Sequence, residues 1–328
     1  MIKKAFALFA VLLLLAGCPG NDDGLLDEGT GGGSTGGTGS QEHISIENGT
    51  SSQISAGEYE EGEFIPASEY AENVNSSLFI YFISVGYGDT QGDAILVKKG
   101  DFDMVIDGGP VAKKYDVVNF LLAKGVDDIE VLVSTHEDAE HYGGLSYIGE
   151  QFRVAEVWRP AEGSESYSSM LEEIGAEDGV KYVGLGDSYE FNGMSVSVLN
   201  PIKGEGRFFD SDNDGVVLRI EDRGFCILLD ADIDSSAQTK VLTGTGTCDV
   251  VQMPWHGMSE GLYNLDFFFD VLEPQAAIIS GSASDWTKTR QTLFNKAALR
   301  GIGIYPNYNG TGAKVTFDGY DFAITIEE

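Results

Sequence analysis

Basic charge is what this chain lacks most. Its 328 residues carry 53 Asp and Glu against 20 Lys and Arg, a formal net charge of -33. Nucleic-acid binding needs Lys and Arg to displace counterions from phosphates, so a field of this sign disfavours long nucleic acid as a partner. It repels an anionic bilayer for the same reason. Histidine is scarce as well, four in the whole chain, so the placement of each one carries information. Of three cysteines, Cys226 and Cys248 fall on successive predicted strands. There a disulfide in an oxidising compartment and two buried thiols are both compatible with the sequence. Long apolar runs are missing too. The one at Ala5 to Leu15 is too short for a comfortable membrane span. No internal repeat is visible.

That apolar run follows Lys3 and Lys4 and ends in Leu15-Ala16-Gly17-Cys18. The pattern is that of a bacterial secretion signal, and its ending resembles a lipobox. The resemblance implies cleavage before Cys18 and lipidation of that residue, which would hold the protein on a membrane surface without spanning it. Residues 1–17 are thus expected as signal peptide. Residues 18–77 are expected as a lipidated cysteine followed by a tether. Gly31 to Ser40 holds no apolar residue, and His43 to Ser77 is acidic and poor in apolar side chains. Residues 78–328 remain, enough for one large domain. No channel helices follow the signal, so the chain alone is not expected to transport DNA.

Within that domain the pattern alternates. Leu78 to Val85, Ala94 to Val97 and Asp103 to Ile106 read as strands, and Asp116 to Lys124 as a helix stopped by Gly125. Ile129 to Ser134 and Val154 to Trp158 read as strands, and Tyr167 to Ile174 as a helix. Asn192-Gly193 marks a two-residue hairpin. A second hairpin joins Val216 to Ile220 and Phe225 to Leu229 through Glu221 to Gly224. Ser235 to Leu242 reads as helix and Asp249 to Met253 as strand. Helix and strand then alternate to Tyr305, and Val315 to Phe317 and Phe322 to Ile326 close the chain. Such an order predicts two mixed sheets covered by helices.

The densest chemistry is Thr135-His136-Glu137-Asp138-Ala139-Glu140-His141-Tyr142-Gly143-Gly144, on a loop leaving a buried strand. Two imidazoles and three carboxylates within six residues suit a metal such as zinc, manganese or iron. Further candidates also sit where apolar strands stop: Asp107, Asp230, Asp232 and His256. Ligands collect in the crevice beyond the carboxyl ends of strands in α/β sheets, so these side chains are expected to converge.

In this order the residues resemble the metallo-β-lactamase superfamily, in its ComEC-type branch, across nearly all of Leu78 to Glu328. Phe82 to Asp89 resembles the family's opening segment, Met104 to Gly109 its first motif, and Ser134 to Gly144 its histidine signature. Asn213 to Leu218, Leu229 to Asp232 and Met253 to Gly257 resemble later motifs. The resemblance implies an α/β fold, a four-layer αββα sandwich of two mixed sheets, with one or two divalent metal ions. His136 and Asp138 would hold the first metal. Glu140 and His141 would serve the second, Asp232 would bridge, and His256 would add an imidazole. Asp107 would orient the loop, and Glu140 and Asp107 are the candidate catalytic carboxylates.

Departures from the family pattern matter equally. Glu140 stands where the family has Asp, and Trp255 replaces the first histidine of His-His-Gly. Asp230 replaces a Thr-Gly step, Asp89 to Gly92 resembles an insertion, and Ser284 to Lys288 offers no late histidine. A site poorer in imidazole and richer in carboxylate favours manganese, iron or magnesium over zinc. The expected function is a membrane-anchored extracytoplasmic hydrolase acting on a small molecule or phosphoester. The competing readings are a non-catalytic accessory lipoprotein with a degraded site, and a structural lipoprotein with an acidic surface. Substrate and oligomeric state are not legible.

Overall fold

Strands of continuous apolar sequence lie at the centre, and the alternating ones at the margins. The computed structural model describes residues 76–203, 212–258, 262, 264–281, 288–308 and 310–327. The expected signal peptide, Cys18 and nearly all of the tether lie outside the described residues, as does the Ser284 to Thr287 stretch without histidine.

The first sheet has eight strands, built from β1 (Leu78–Phe82), β2 (Ile95–Lys99), β3 (Phe102–Ile106), β4 (Asp128–Val133), β5 (Arg153–Arg159), β6 (Val180–Tyr182), β14 (Gly312–Phe317) and β15 (Phe322–Glu327). Their order is β15-β14-β1-β2-β3-β4-β5-β6. The second has seven, from β7 (Ser188–Phe191), β8 (Met194–Asn200), β9 (Val217–Asp222), β10 (Phe225–Leu229), β11 (Val250–Gln252), β12 (Ala276–Ser280) and β13 (Gly303–Asn307). Their order is β13-β12-β11-β10-β9-β8-β7. Both sheets are mixed: β3 to β6 and β10 to β13 run parallel, the rest antiparallel. Every residue of β3, β10 and β12 is buried, as parallel strands covered on both faces require. Marginal β8 alternates buried and half-buried residues instead.

Ile80, Val97, Met104, Val131, Val196, Leu218, Ile227 and Ile278 form a core between the two sheets. On the outer face of the first sheet pack α1 (Lys114–Ala123), α3 (Leu145–Gln151) and α4 (Glu165–Glu173), through Val117, Leu121, Ile148 and Leu171. On the outer face of the second pack α5 (Ser235–Leu242), α6 (Leu265–Leu272) and α7 (Lys288–Arg300), through Val241, Phe268, Leu293 and Ala297. The result is the four-layer αββα sandwich. No helix among the described residues is long and apolar enough to cross a membrane.

Two local expectations change in detail. The β9–β10 hairpin turns on Arg223-Gly224 alone, both at positive φ, because β9 extends to Asp222. The β7–β8 hairpin turns on Asn192-Gly193, also both at positive φ, as its sequence predicts. Strand β6 escaped sequence reading. It is a three-residue edge strand with half-buried or exposed positions and no apolar run. Cys226 and Cys248 are joined as a disulfide, at the start of β10 and just before β11.

Candidate metal centre

Parallel strands deliver their C-terminal ends to one edge. β3 and β4 bring Asp107 and the 134–141 loop there, and β10 and β11 bring Asp232 and His256. Two Gly pairs interlock the first two loops. A Cβ on Gly108 would lie 2.7 Å from the Leu145 nitrogen, and one on Gly144 would lie 2.1 Å from the Gly108 oxygen. Only glycine permits that approach. The short α2 (Ala139–Tyr142), just before Gly143-Gly144, carries His141.

Asp107 organises the imidazoles without standing in any of the ligand clusters. Its Oδ1 accepts from the Thr135 backbone N–H at 2.8 Å, and its Oδ2 from the Thr135 hydroxyl at 2.6 Å. The same Oδ2 accepts from His141 Nδ1 at 2.9 Å. With its hydroxyl proton committed to Asp107, Thr135 Oγ1 accepts from His136 Nδ1 at 2.9 Å. The network therefore assigns a proton to Nδ1 of both rings. Each Nε2 is left to take a proton or to offer its lone pair. This is the outer-shell arrangement that fixes metal-binding imidazoles.

The His136 and His141 rings, tilted by 50°, have centroids 4.1 Å apart, and those of His141 and His256 lie 5.4 Å apart. Asp232 Oδ2 sits 3.3 Å from His141 Nε2 and 3.0 Å from His256 Nε2. Yet among the described residues His136 Nε2, His141 Nε2, both His256 nitrogens and Asp232 Oδ1 have no well-formed hydrogen bond. The distances are short and the directions are wrong for N–H donation. Donors about 2.1 Å from a shared ion sit roughly 3.0–3.4 Å apart, so these contacts fit the edges of a coordination shell. Three clusters could hold an ion: His136, His141 and Asp232; Asp93, Asp232 and His256; and His136, Asp138 and Asp212. The residues present therefore fit one or two divalent cations.

His256 is held in an unusual backbone. Trp255, His256 and Gly257 all have positive φ, 46°, 51° and 72°. A non-glycine residue there costs on the order of 1 kcal/mol or more, so something must hold it. Fully buried Arg290 on α7 donates from Nε and Nη2 to the His256 carbonyl at 3.0 and 2.7 Å. The Trp255 N–H donates to the Ala231 carbonyl at 3.1 Å, tying this turn to the Asp232 loop.

Charge on these groups is governed by burial. Burial and neighbouring His141 push His136 down to about 4, so its imidazole is neutral. For His141 burial opposes the charge, but Asp232 and Asp107 hold its pKa well above the usual value. For Asp232 burial raises the pKa, and His256 and His141 overcome that and hold it well below the carboxylate range. Asp93 is raised, by burial first, against the pull of His256 and His141. Asp230 is raised well above its usual value by burial alone.

The convergence expected for His136, Asp138, His141, Asp232 and His256 is present in these clusters. Glu140 stands in none of them. It lies in the first turn of α2, half-buried, with its backbone carbonyl against Gly92. Asp230 is buried beside Asp232 but joins no cluster either. Sequence reading missed Asp93 and Asp212. It searched strand ends, whereas Asp93 precedes β2. Because β2 pairs antiparallel with β3, Ile95 opposite Ile106, the beginning of β2 reaches the same edge. The signal was available: Gly92-Asp93-Ala94 repeats the Gly-Asp step of Gly88-Asp89. Gln252 Nε2 donates to Asp93 Oδ2 at 2.8 Å and fixes that side chain.

Comparison with known proteins agrees with this geometry. Residues 87–226 match the sequence profile of the metallo-beta-lactamase superfamily. The chain is 26% identical over 174 residues to ComE operon protein 3 of Bacillus subtilis, covering 52% of this chain and 22% of that protein. It is 23% identical over 219 residues to competence protein ComA of Neisseria gonorrhoeae, covering 65% of this chain and 29% of that protein. The match thus spans about a quarter of either relative's length. The metallo-beta-lactamase fold protein YhfI from Bacillus subtilis superposes with a TM-score of 0.52 at 13% identity, over 74% of this chain and 99% of YhfI. Residues 87–226 thus match the metallo-β-lactamase superfamily, and the chain is similar there to ComEC-type proteins.

Proposed function

We propose that this chain is an exported, lipid-anchored, metal-dependent hydrolase whose substrate is a small phosphoester. One observation carries the reading. The Nε2 atoms of His136, His141 and His256 are buried around Asp232 with no well-formed hydrogen bond, while Asp107 and Thr135 fix the Nδ1 protons of the first two. Unsatisfied buried polar atoms are costly, and two neighbouring cations sharing Asp232 would satisfy these. Asp93, Asp232 and His256 would hold one ion, and His136 and His141 would share Asp232 with a neighbouring one.

A divalent ion held there supplies positive charge and Lewis acidity toward a phosphoryl oxygen. That charge is needed, because a chain of net charge -33 otherwise repels an anionic substrate. The residues do the positioning. Asp107 sets the tautomer of His141, Arg290 holds the His256 turn, and Gln252 holds Asp93. Burial of Asp93, His136, His141, Asp232 and His256 keeps bulk water from the ligand atoms. Cys18 would carry the lipid, and the tether would place the domain outside the cytoplasm.

The test is hydrolysis of bis(p-nitrophenyl) phosphate by the full chain supplied with Mn2+ or Zn2+. The reading expects metal-dependent turnover, greater with Mn2+. Asp232→Ala should lower it by about a hundredfold or more, since several kcal/mol of Lewis-acid stabilisation are lost. Trp255 in place of an imidazole favours the second reading, a non-catalytic accessory protein with the same fold. Metal-independent background rates with every ion would establish that reading instead.

A further inference from the structure

Arg159 ends β5 at the edge where the metal cluster lies. Strands β4 and β5 run parallel, Val133 opposite Trp158, and the Ser134 N–H donates to the Trp158 carbonyl at 2.9 Å. Arg159 therefore stands beside the start of the loop that carries His136. Only 2% of it is exposed. Arg153, Arg219, Arg223 and Arg300 each pair with a carboxylate. Arg159 pairs with none among the described residues, in a chain that holds 53 Asp and Glu. A buried cation without a counter-charge is costly, and nothing in the fold requires one here.

Its surroundings hold the guanidinium and leave one nitrogen uncommitted. Nε donates to the Pro160 carbonyl at 2.9 Å and Nη2 to the Glu162 carbonyl at 3.1 Å. Nη1 makes no hydrogen bond among the described residues. The Tyr167 and Tyr182 rings flank the charge, with centroids 4.7 and 5.5 Å from its central carbon. Tyr167 is buried and donates to Ser134 Oγ at 2.7 Å, whereas Tyr182 is 56% exposed and opens the cluster to solvent. Turn 160–164 packs onto the group: a Cβ on Gly163 would lie 2.7 Å from Arg159 Nη2. The same turn is pinned to the metal loop, where Glu137 accepts from the Ser164 N–H at 2.6 Å. The two ties, at Ser134 and Glu137, bracket His136 in sequence.

We propose that Arg159, between Tyr167 and Tyr182, is an anion subsite beside the metal edge that takes a phosphate group of the substrate other than the one hydrolysed. Nη1 supplies charge-assisted donation, and a guanidinium is weakly hydrated, so it stays poised in a nearly closed site at lower cost than an ammonium. Carbonyls and ring faces hold it without neutralising it, as a carboxylate partner would. The substrate class narrows accordingly to phosphoesters that carry a second, terminal phosphate. Without a fixed cation to receive it, that extra charge would be turned away by the acidic balance of the chain. The role toward substrate rests on the proposed metal-dependent hydrolase reading; phosphate binding at Arg159 does not.

The experiment has two arms. The first is calorimetric titration of the metal-stripped full chain with inorganic phosphate. Wild type should bind about one phosphate per chain, and Arg159→Met and Arg159→Lys should each weaken it by about tenfold or more, since neither presents a guanidinium. An apolar chain of similar length leaves no unpaired charge behind, so the melting temperature of Arg159→Met should stay near wild type. The second arm compares, with Mn2+, two p-nitrophenyl phosphodiesters whose other arm ends in a phosphate or in a hydroxyl. Wild type should prefer the phosphate-ended ester by about tenfold in kcat/KM, through KM, and Arg159→Lys should bring that preference within about threefold. Wild type that binds no phosphate, or both variants binding it as wild type does, overturns the subsite. A preference that survives Arg159→Lys overturns its role toward substrate. Phosphate binding that depends on Arg159, without turnover of either ester, keeps the subsite and overturns the hydrolase reading.

Discussion

At the scale of single residues, Asp107 and Arg290 decide whether the ligands are usable, though neither stands in a ligand cluster. Asp107→Asn removes one of two acceptors and leaves the His141 Nδ1–H facing an amide N–H. The ring then loses its fixed tautomer. Metal affinity should fall by about 10- to 100-fold, read by competition with a chromogenic chelator, while circular dichroism stays unchanged. Affinity within twofold of wild type would deny Asp107 its orienting role. Arg290→Ala leaves the buried His256 carbonyl without its two donors and releases a left-handed backbone. The loss should be about 3 kcal/mol in urea unfolding, together with weaker metal binding. A stability loss with unchanged metal affinity would show that Arg290 serves only the fold.

At the scale of elements, β3 links the site to the opposite edge of the sheet. Asp103, fully buried, is paired with Lys98 at 2.8 Å, yet burial outweighs Lys98 and pushes its carboxyl up to about 7. A raised folded-state pKa means that folding favours the protonated form. That contribution is present below about pH 4 and is lost as pH rises toward 7. Asp103→Asn should therefore gain melting temperature relative to wild type across that window; a difference independent of pH would refute the assignment. The elements themselves were legible where packing speaks through composition. Buried parallel strands such as Ile129 to Ser134 and Ala276 to Ser280 read as apolar runs, and Asn192-Gly193 dictated its hairpin. Strand β6 was not legible, since nothing apolar marks an edge strand of three residues. The site was legible where ligands follow strands. Asp93 precedes its strand, and the residues just after Asp212 are held by Asn200, Asp234, Ala237 and Thr135, partners distant in sequence. Glu140 looked like a ligand by spacing, but α2 sets it outside the clusters.

At the scale of the whole molecule, the acidic balance sets the terms. A chain of net charge -33 gains nothing from anionic lipid, so the proposed attachment rests on the lipid at Cys18. Cys18→Ser should move the protein from the membrane to the soluble fraction on cell fractionation; unchanged membrane association would reject Cys18 as the anchor. The same negative field concentrates divalent cations around the domain, which favours loading of the edge where β3, β4, β10 and β11 end. The most direct test of the central claim is the metal content of the full chain purified without chelator, measured by inductively coupled plasma mass spectrometry. The account predicts about one or two transition-metal ions per chain in wild type and less than about a tenth of that in Asp232→Ala, because Asp232 lies within reach of both His141 and His256. Wild-type protein without stoichiometric metal, or an Asp232→Ala protein with its metal intact, would contradict it.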